Sequence, residues 1–300
     1  MLKRTSIPVH LKKYDIDTLP ESPGVYLFYG QDAFPLYIGK SKNIKERVLS
    51  HFASDIVSPT EMKISQQVTR IEYIETAGEL GALFLESKLI KTKSPMYNKR
   101  LRNSRKLILL KKMKNAQGYD EVAREPFING NELTDFTDVL GIYKSDRETK
   151  EFLYGLSKDF SLCPKLLSLE KSRNECFYYR LGYCQGACVN KEDSVRYNLR
   201  LITAFSTGAT VSPWPFLGPI AIEETSLTGK KEYILVDNWR FIGEVKIDEE
   251  GNKKEDLSPS GFDVDTYKIL RGFFRHKQKN AHIIRLNDLH IADATSEFLP

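Results

Sequence analysis

The stretch that decides the N-terminal fold is GVYLFYGQDAFPLYIGKSKNIKERVLSHF, residues 24–52. Residues 24–29 and 35–39 are rich in aromatic and β-branched side chains, and the loop between them carries a glycine and an aspartate. This pattern predicts two strands joined as a β-hairpin. After the hairpin, apolar residues recur every four positions, which predicts an amphipathic helix over residues 42–52.

Two further elements complete an N-terminal unit. Residues 68–74 alternate like a strand, and residues 78–93 have the apolar periodicity of a long helix that ends before a Ser-Pro step. The order hairpin, helix, strand, helix is that of a compact α/β unit.

The rest of the chain divides into two regions of different composition. The middle region has strand patterns at 105–112, 119–125 and 138–143 and helix patterns at 146–158 and 191–205. From about residue 210, strand-like segments alternate with turns that contain Trp, Pro and Gly.

The predicted fold class is therefore α/β (α+β) with three domains. Residues 20–105 form a domain with a small mixed sheet flanked by helices. Residues 106–209 form a linker region that contains a cysteine cluster at 163–188, and residues 210–300 form a β-rich C-terminal domain.

Composition indicates a soluble, cytoplasmic protein. The 300 residues are 41% hydrophobic and 28% charged, as in ordinary soluble domains. The basic N-terminus is not followed by an apolar run, so we expect no signal peptide. No stretch of about 18 apolar residues occurs, so we expect no contact with a membrane. In the cytoplasm, thiols stay reduced.

Positive charge is concentrated in the first 112 residues, which carry 20 Lys and Arg against 11 Asp and Glu, a net charge of +9, while the whole chain carries +5. Within residues 88–112, ten residues are basic and none is acidic. Such a run is either a solvated surface or a contact for a polyanion, which would relieve its self-repulsion and release counterions. The candidate DNA-binding residues are Lys88, Lys91, Lys93, Lys99, Arg100, Arg102, Arg105 and Lys106.

Glu86 interrupts the apolar face of the predicted helix 78–93. Its neighbours three and four positions away on both sides are apolar, which places the carboxylate on the buried stripe. A carboxylate there is costly unless it is paired or binds a metal. The pattern leaves a buried salt bridge and a Mg²⁺ ligand equally open, since Mg²⁺ often binds through one carboxylate together with water and phosphate.

Five more polar residues lie in the opening stretch. Lys40, Arg47 and His51 follow one edge of the predicted helix, where a helix N-terminus and two cations favour phosphate. Tyr26 and Tyr37 become neighbours if their strands pair antiparallel. A phenol with a pKa of about 10 is a useful base only beside a cation or metal. Taken singly, each of these residues is better explained by a solvated edge or by core packing.

The four cysteines of the chain lie within one short segment. They are Cys163, Cys176, Cys184 and Cys188, spaced C-x12-C-x7-C-x3-C. Two disulfides are disfavoured in a reducing compartment. Four separate buried thiols, a Zn²⁺ site and an iron–sulfur cluster remain open.

These motifs together resemble a known nuclease family. GVY, ten residues, YIG, and then Lys40, Arg47, Glu86 and Asn98 in order are similar to the GIY-YIG nuclease domain, with Val25 in place of the Ile of the first half-motif. The resemblance covers residues 20–105. GELGALFLESKLIKTKSPMYNKRL and the cysteine segment resemble the UvrC branch. PWPFLGPIAIEE, LVDNWRFIGEV and GFDVDTYKIL resemble the excinuclease Cho family, the short homologues of UvrC.

The resemblance implies hydrolysis of one DNA strand with a single divalent metal, Mg²⁺ or Mn²⁺, held by Glu86. Tyr37 would activate water and Tyr26 would shape the pocket. UvrC-like domains often have Tyr where this chain has His51. His51 could keep the hydrogen-bonding role or compete as the base, because an ordinary imidazole accepts and releases protons near neutral pH.

The remaining motif residues have supporting roles in the resemblance. Lys40 and Arg47 would lower the pKa of the tyrosine and bind the non-bridging phosphate oxygens. Asn98 would orient the site.

The resemblance also implies a place in DNA repair. The family makes the 3′ incision of nucleotide excision repair in double-stranded DNA with a bulky lesion, on UvrB loaded by UvrA, within the SOS response. It favours a [4Fe–4S] cluster over Zn²⁺ at the cysteines. Two alternatives stay open: an independent GIY-YIG endonuclease of mobile-element or restriction type, and a catalytically inactive DNA-binding subunit. The first would need a dedicated DNA-reading module, which the sequence does not show. The second would be indicated by loss of the motif residues.

Overall fold

The computed structural model describes residues 8, 11, 16–53, 58–98, 106–128, 138–143, 145–208, 214–277 and 282–286. The chain forms two compact units. One unit combines Met1–Ser104 with Phe216–Pro300, and the other is Arg105–Pro215. None of the described helices is both long and apolar enough to span a bilayer.

The N-terminal sheet consists of strands β1 (Gly24–Tyr29), β2 (Pro35–Ser41) and β3 (Arg70–Glu75) in the order β2-β1-β3. The predicted hairpin is confirmed. Both strand pairs are antiparallel, so the expectation of a mixed sheet was wrong in this respect. The chain passes through two helices between β2 and β3. These helices return it to the end of the sheet where β1 ends and β3 begins.

Helices of the described residues flank this sheet: α1 (Ile44–Ala53), α2 (Pro59–Gln67) and α3 (Glu79–Lys93). Helix α1 begins two residues later than predicted, because the Asn43 side chain accepts a hydrogen bond from the Glu46 amide at 3.0 Å and caps the first turn. Buried side chains of α1 pack against β1 to form one core of the unit.

The middle unit contains its own sheet and its own core. Strands β4 (Lys106–Lys114), β5 (Asp120–Ile128) and β6 (Val139–Tyr143) pair antiparallel in the order β5-β4-β6. Helices α4 (Asp146–Asp159), α5 (Phe177–Arg180) and α6 (Ser194–Gly208) follow. Three of the four cysteines belong to the buried cluster of this unit, and the fourth packs against it.

Where the structure describes it, the C-terminal segment adds five strands and a helix to the first unit. Strands β7 (Ile220–Thr225), β8 (Lys231–Asp237), β9 (Arg240–Ile247), β10 (Lys253–Asp256) and β11 (His282–Arg285) form an antiparallel sheet in the order β10-β9-β8-β7-β11. The β-rich prediction is confirmed. Helix α7 (Val264–Lys277) was not expected.

The C-terminal segment holds the N-terminus of α3. The Glu224 carboxylate accepts hydrogen bonds from the amides of Leu80 at 2.9 Å and Gly81 at 2.8 Å. The residue at the cap position, Gly78, has no side chain to do this. A carboxylate at this end is also favoured by the helix dipole. A strand that is 144 residues away in sequence therefore caps the helix that carries Glu86.

Ion pairs continue this contact along α3. Lys88 Nζ lies 2.8 Å from Asp256 Oδ2, and Lys91 Nζ lies 2.6 Å from Asp263 Oδ2. The rings of Phe84 and Phe241 pack with their centroids 5.3 Å apart. Helix α3 is thus fixed from both sides, by the N-terminal sheet and by the C-terminal segment.

Candidate active site

The two tyrosines of the half-motifs lie side by side on the hairpin. Tyr26 on β1 is opposite Gly39 on β2, and Phe28 is opposite Tyr37, so both phenols project from the same face and their ring centroids are 6.2 Å apart. The glycine is required here, since a methyl group at Gly39 would lie 2.2 Å from the Tyr26 hydroxyl. The predicted proximity is confirmed.

His51 on α1 joins the tyrosines through a hydrogen bond. Its Nε2 lies 2.5 Å from the Tyr26 hydroxyl, in a buried pair. Its Nδ1 hydrogen-bonds the carboxylate of Glu61 on α2. His51 is 3% exposed and Tyr26 is fully buried. The site therefore contains a chain of three groups, carboxylate, imidazole and phenol, drawn from three elements.

Sequence reasoning missed Glu61. Helix α2 is short, and its sequence PTEMKISQQ shows little apolar periodicity. The available signal was the Ser-Pro-Thr-Glu run at 58–61, since Ser three positions before Glu marks a helix start. The Ser58 side chain does accept from the Glu61 amide. The pairing with His51 depends on how α2 packs against α1, which no local pattern encodes.

Burial dominates the electrostatics of both tyrosines. It raises the pKa of Tyr26 far above its ordinary value; Tyr37 raises it further, and Arg47 partly offsets this. Burial also raises the pKa of Tyr37, with contributions from the charges of Glu86 and Glu61. Neither phenol therefore ionises alone near neutral pH in this site.

Glu86 is half-buried beside β2. Its Oε1 accepts a hydrogen bond from the Lys40 amide at 3.0 Å. Burial raises the pKa of this carboxyl, and the Lys40 amide partly offsets the rise. Among the residues that the structure describes, Glu86 makes no ion pair. The salt-bridge alternative therefore finds no support here, and the carboxylate keeps an oxygen for another ligand.

Lys40 and Arg47 differ in their surroundings. The Lys40 ammonium lies 2.9 Å from Glu79 Oε1 at the first turn of α3, so it is engaged by a carboxylate instead of being free for phosphate. Sequence reasoning did not identify Glu79. The Arg47 guanidinium is exposed, and its charge lowers the pKa of Tyr26 against the effect of burial. The Arg47 side chain also hydrogen-bonds Tyr26, so it places an exposed cation beside the tyrosines.

Asn98 clamps the backbone of β2. Its Oδ1 accepts from the Ile38 amide at 2.9 Å, and its Nδ2 donates to the Ile38 carbonyl at 2.8 Å. Because β2 is an edge strand of its sheet, this side chain fills the place of a neighbouring strand. Ile38 lies between Tyr37 and Gly39, so Asn98 fixes the part of β2 that carries the site.

Some of the candidate DNA-binding lysines form ion pairs within the protein. Lys88 and Lys91 pair with aspartates of the C-terminal segment, while Lys93 is exposed. Intramolecular carboxylates therefore relieve part of the self-repulsion that the sequence suggested. Lys99, Arg100, Arg102 and Arg105 lie outside the described residues, as does the side chain of Lys106.

The four cysteines of the middle unit converge on one point. The sulfur atoms of Cys163, Cys176, Cys184 and Cys188 all lie within 4.8 Å of one another. The Cys176 amide donates to Cys188 Sγ at 3.4 Å, and the Gly186 amide donates to Cys184 Sγ at 3.4 Å. Hydrogen bonding from the Cys163 thiol lowers the pKa of Cys184 to about 6. Four separate buried thiols are thereby excluded, and the set is suited to a metal centre.

A buried hydroxyl next to this cluster supports the same conclusion. Tyr197 is fully buried and its hydroxyl has no hydrogen-bond partner among the described residues. Its pKa is raised well above the ordinary value by burial and by the charges of Cys163 and Cys184. A thiolate sulfur of a metal-bound cluster would be an acceptor for such an unpaired donor.

The paired tyrosines, the exposed arginine and the helical carboxylate define a nuclease site of the GIY-YIG type. The chain matches the family models for the UvrC-like GIY-YIG domain over residues 22–99, the UvrC/Cho excinuclease middle domain over 113–207 and the excinuclease Cho C-terminal domain over 219–290.

Whole-chain similarity identifies the family. Excinuclease cho of Escherichia coli (strain K12) is 38% identical over 266 residues, which cover 88% of this chain and 85% of that protein. The UvrABC system protein C of Dictyoglomus thermophilum is 34% identical over 180 residues, or 59% of this chain and 29% of that one. The chain belongs to the excinuclease Cho family, which confirms the resemblance. It is a metal-dependent DNA endonuclease of nucleotide excision repair.

A solved structure matches the N-terminal domain. The GIY-YIG N-terminal endonuclease domain of UvrC from Thermotoga maritima was crystallised with magnesium as its catalytic divalent cation. It is 33% identical, and the match covers 29% of this chain and 98% of that one with a TM-score of 0.25. The family assignment follows from the sequence matches above.

Proposed function

We propose that the protein makes the 3′ incision in damaged double-stranded DNA on which UvrA has loaded UvrB. The observation that carries the cleavage step of the proposal is the position of Glu86, which accepts a hydrogen bond from the Lys40 amide on β2, three residues after Tyr37. A similar protein that is named as part of a UvrABC system supports the choice of partner. We further propose that it acts in the cytoplasm, on nucleoid DNA.

Glu86 is suited to hold Mg²⁺ or Mn²⁺. One of its oxygens is fixed by an amide and the other is available, and a single carboxylate plus phosphate and water is a common Mg²⁺ site. When bound, such an ion supplies Lewis-acid stabilisation of the charge that develops on the phosphate and the leaving oxygen.

The protein's own groups would handle the anion and the proton. Arg47 binds non-bridging oxygens of the scissile phosphate through its planar guanidinium. The water that attacks phosphorus is oriented by the pair Tyr26 and Tyr37, and its proton passes into that pair. The bond from phosphorus to the 3′ oxygen breaks, and that oxygen takes up a proton from solvent.

Other side chains and backbone groups hold the reacting groups in place. Asn98 holds β2 in register, and the α3 helix holds Glu86 against it. Lys40 contributes through its amide, while its ammonium stays with Glu79. Lys93 and the basic residues 99–106 are the remaining candidates for contacts with the DNA backbone.

A duplex that carries one bulky adduct and a labelled end tests the proposal. We expect a single nick 3′ to the lesion with UvrA, UvrB, ATP and Mg²⁺, and no nick when UvrB is omitted. Cutting that ignores UvrB would identify an independent nuclease. Intact DNA binding without any cutting would identify an inactive DNA-binding subunit.

We also propose that the cysteine cluster holds a [4Fe–4S] cluster, as the family resemblance implies. Zn²⁺ is the second candidate, because sulfur atoms within 4.8 Å of one another accommodate one tetrahedral ion with thiolate bonds of about 2.3 Å. Iron, zinc and acid-labile sulfide contents of anaerobically purified protein separate the two. Protein that contains none of these would contradict both.

A further inference from the structure

We propose that Glu61 is a positioning residue of the nuclease site. It fixes the His51 imidazole in the form that accepts a proton from the Tyr26 hydroxyl. This inference rests on the proposed hydrolysis. It adds that His51 is the group that finally accepts the proton released by water.

The geometry sets a direction along the three groups. An ionised carboxylate only accepts hydrogen bonds, so the His51 nitrogen that faces Glu61, Nδ1, carries the ring proton in the neutral imidazole. The other nitrogen, Nε2, then has a free lone pair. Because Nε2 lies 2.5 Å from the Tyr26 hydroxyl, that hydroxyl donates to it.

The surroundings of the site favour the His51 imidazole over either phenol as the base. Burial raises the pKa of both Tyr26 and Tyr37, which disfavours a free phenolate. His51 is 3% exposed, so its nitrogens exchange protons with the groups that face them. The other titratable groups that act on Tyr26 are Tyr37 on β2, Arg47 on α1 and Glu86 on α3.

The proton transfer balances within these groups. Water gives one proton to the Tyr37 oxygen, the Tyr37 proton moves to the Tyr26 oxygen through the hydrogen bond between the two phenols, and the Tyr26 proton moves to His51 Nε2. The resulting hydroxide oxygen forms the bond to phosphorus, and the bond to the 3′ oxygen breaks. The imidazolium that forms is stabilised by the adjacent Glu61 carboxylate. His51 later returns its proton to solvent through the two tyrosines.

Nitrogen NMR tests the tautomer without any need for activity. The chain has five histidines, so ¹⁵N-histidine protein gives few signals, and His51→Tyr assigns those of residue 51. We expect Nδ1 of His51 to carry the proton in the wild type and the proton to be shared between the two nitrogens in Glu61→Gln. A His51 protonated mainly on Nε2 in the wild type would overturn the proposal.

Single-turnover nicking tests the consequence. We expect Glu61→Gln to slow cleavage on the order of 10²- to 10⁴-fold with DNA affinity unchanged, and Glu61→Asp to recover part of the rate. The matched control is Glu46→Gln, an exposed glutamate on α1, which should cut like the wild type.

A double variant shows whether Glu61 acts through His51. If it does, Glu61→Gln should change the rate of His51→Tyr by no more than about threefold, since coupled groups are not additive. A full additional loss in that background would mean that Glu61 only holds α2 in place, and the inference would fail. If the wild type itself does not nick DNA, the proposed function fails while the tautomer measurement still decides the role of Glu61.

Discussion

At the scale of single residues, the half-motif glycines are explained by contact distances. Gly39 leaves room for the Tyr26 hydroxyl, and a methyl group at Gly24 would lie 2.3 Å from the Ile74 carbonyl on β3. Both glycines therefore allow a neighbouring group to approach the backbone more closely than any side chain permits. The two motif glycines can be recognised in the sequence alone. The close contacts that require them are visible only once the register of the sheet is known.

Gly39→Ala should inactivate the site with only a moderate loss of stability. The added methyl group displaces the Tyr26 phenol from His51, and we expect a fall in nicking rate on the order of 10²-fold and a destabilisation of about 1–3 kcal/mol. Gly155→Ala is the control, because a methyl group there meets nothing within 4 Å inside helix α4. Wild-type nicking by Gly39→Ala would contradict the close packing of Tyr26.

We expect the contribution of Glu232 to the free energy of unfolding to fall as pH rises. Its side chain is buried, its Oε2 has no hydrogen-bond partner among the described residues, and burial raises its pKa. The folded state thus holds the proton more tightly than the unfolded state. Its contribution is most favourable below the ordinary glutamate pKa and is lost as pH rises through the raised value.

We therefore expect Glu232→Gln to melt higher than the wild type near pH 8 and to match it near about pH 4. Thermal unfolding at both pH values measures this, with the exposed Glu249→Gln as control. A variant that melts lower at both pH values would show that pairing with Lys246, 3.6 Å away, outweighs the burial penalty.

At the scale of elements, sequence patterns predicted what is locally encoded. The hairpin of β1 and β2 follows from its turn residues and strand composition. Helix α3 was predicted within one residue of its observed start at Glu79, because its apolar periodicity is strong. Helices α2 and α7 were missed, because α2 has weak periodicity and α7 lies in a region dominated by strand patterns. The tertiary contacts of Glu61 and Glu224 could not be predicted, since each joins elements that are distant in the chain.

The cap on α3 should couple stability to activity. Glu224→Ala removes an acceptor for two amides at the start of the helix that carries Glu86, so we expect a loss of about 1–3 kcal/mol and slower nicking. Urea unfolding and a nicking assay on the same preparation measure both, with Glu249→Ala on the same segment as control. Unchanged stability would contradict the capping role.

At the scale of the whole molecule, the C-terminal segment belongs to the unit that contains the nuclease site. From the sequence alone, a docking module for UvrB or DNA and a packing domain were both open. The contacts of Glu224, Asp256 and Asp263 with α3 favour a packing role for this segment.

Truncation after residue 210 tests this role. We expect a chain of residues 1–210 to lose hydrogen-exchange protection in α3 and to nick poorly, because the helix loses its cap and its ion pairs. Unchanged protection and unchanged UvrB-dependent nicking would contradict both the packing and the docking roles. Protection that is kept while nicking is lost would indicate docking.

Metal-dependent cleavage by this nuclease depends above all on Glu86 as the proposed ligand of the catalytic ion. The most direct measurement compares wild type and Glu86→Gln in nicking of adducted duplex as Mg²⁺ is titrated, with DNA binding measured in parallel. We expect a single nick by the wild type that requires Mg²⁺, and a loss of at least about 10³-fold in the variant, with folding and DNA affinity retained. A Glu86→Gln enzyme that nicks at the wild-type rate with the same Mg²⁺ dependence would contradict the role of Glu86 as metal ligand.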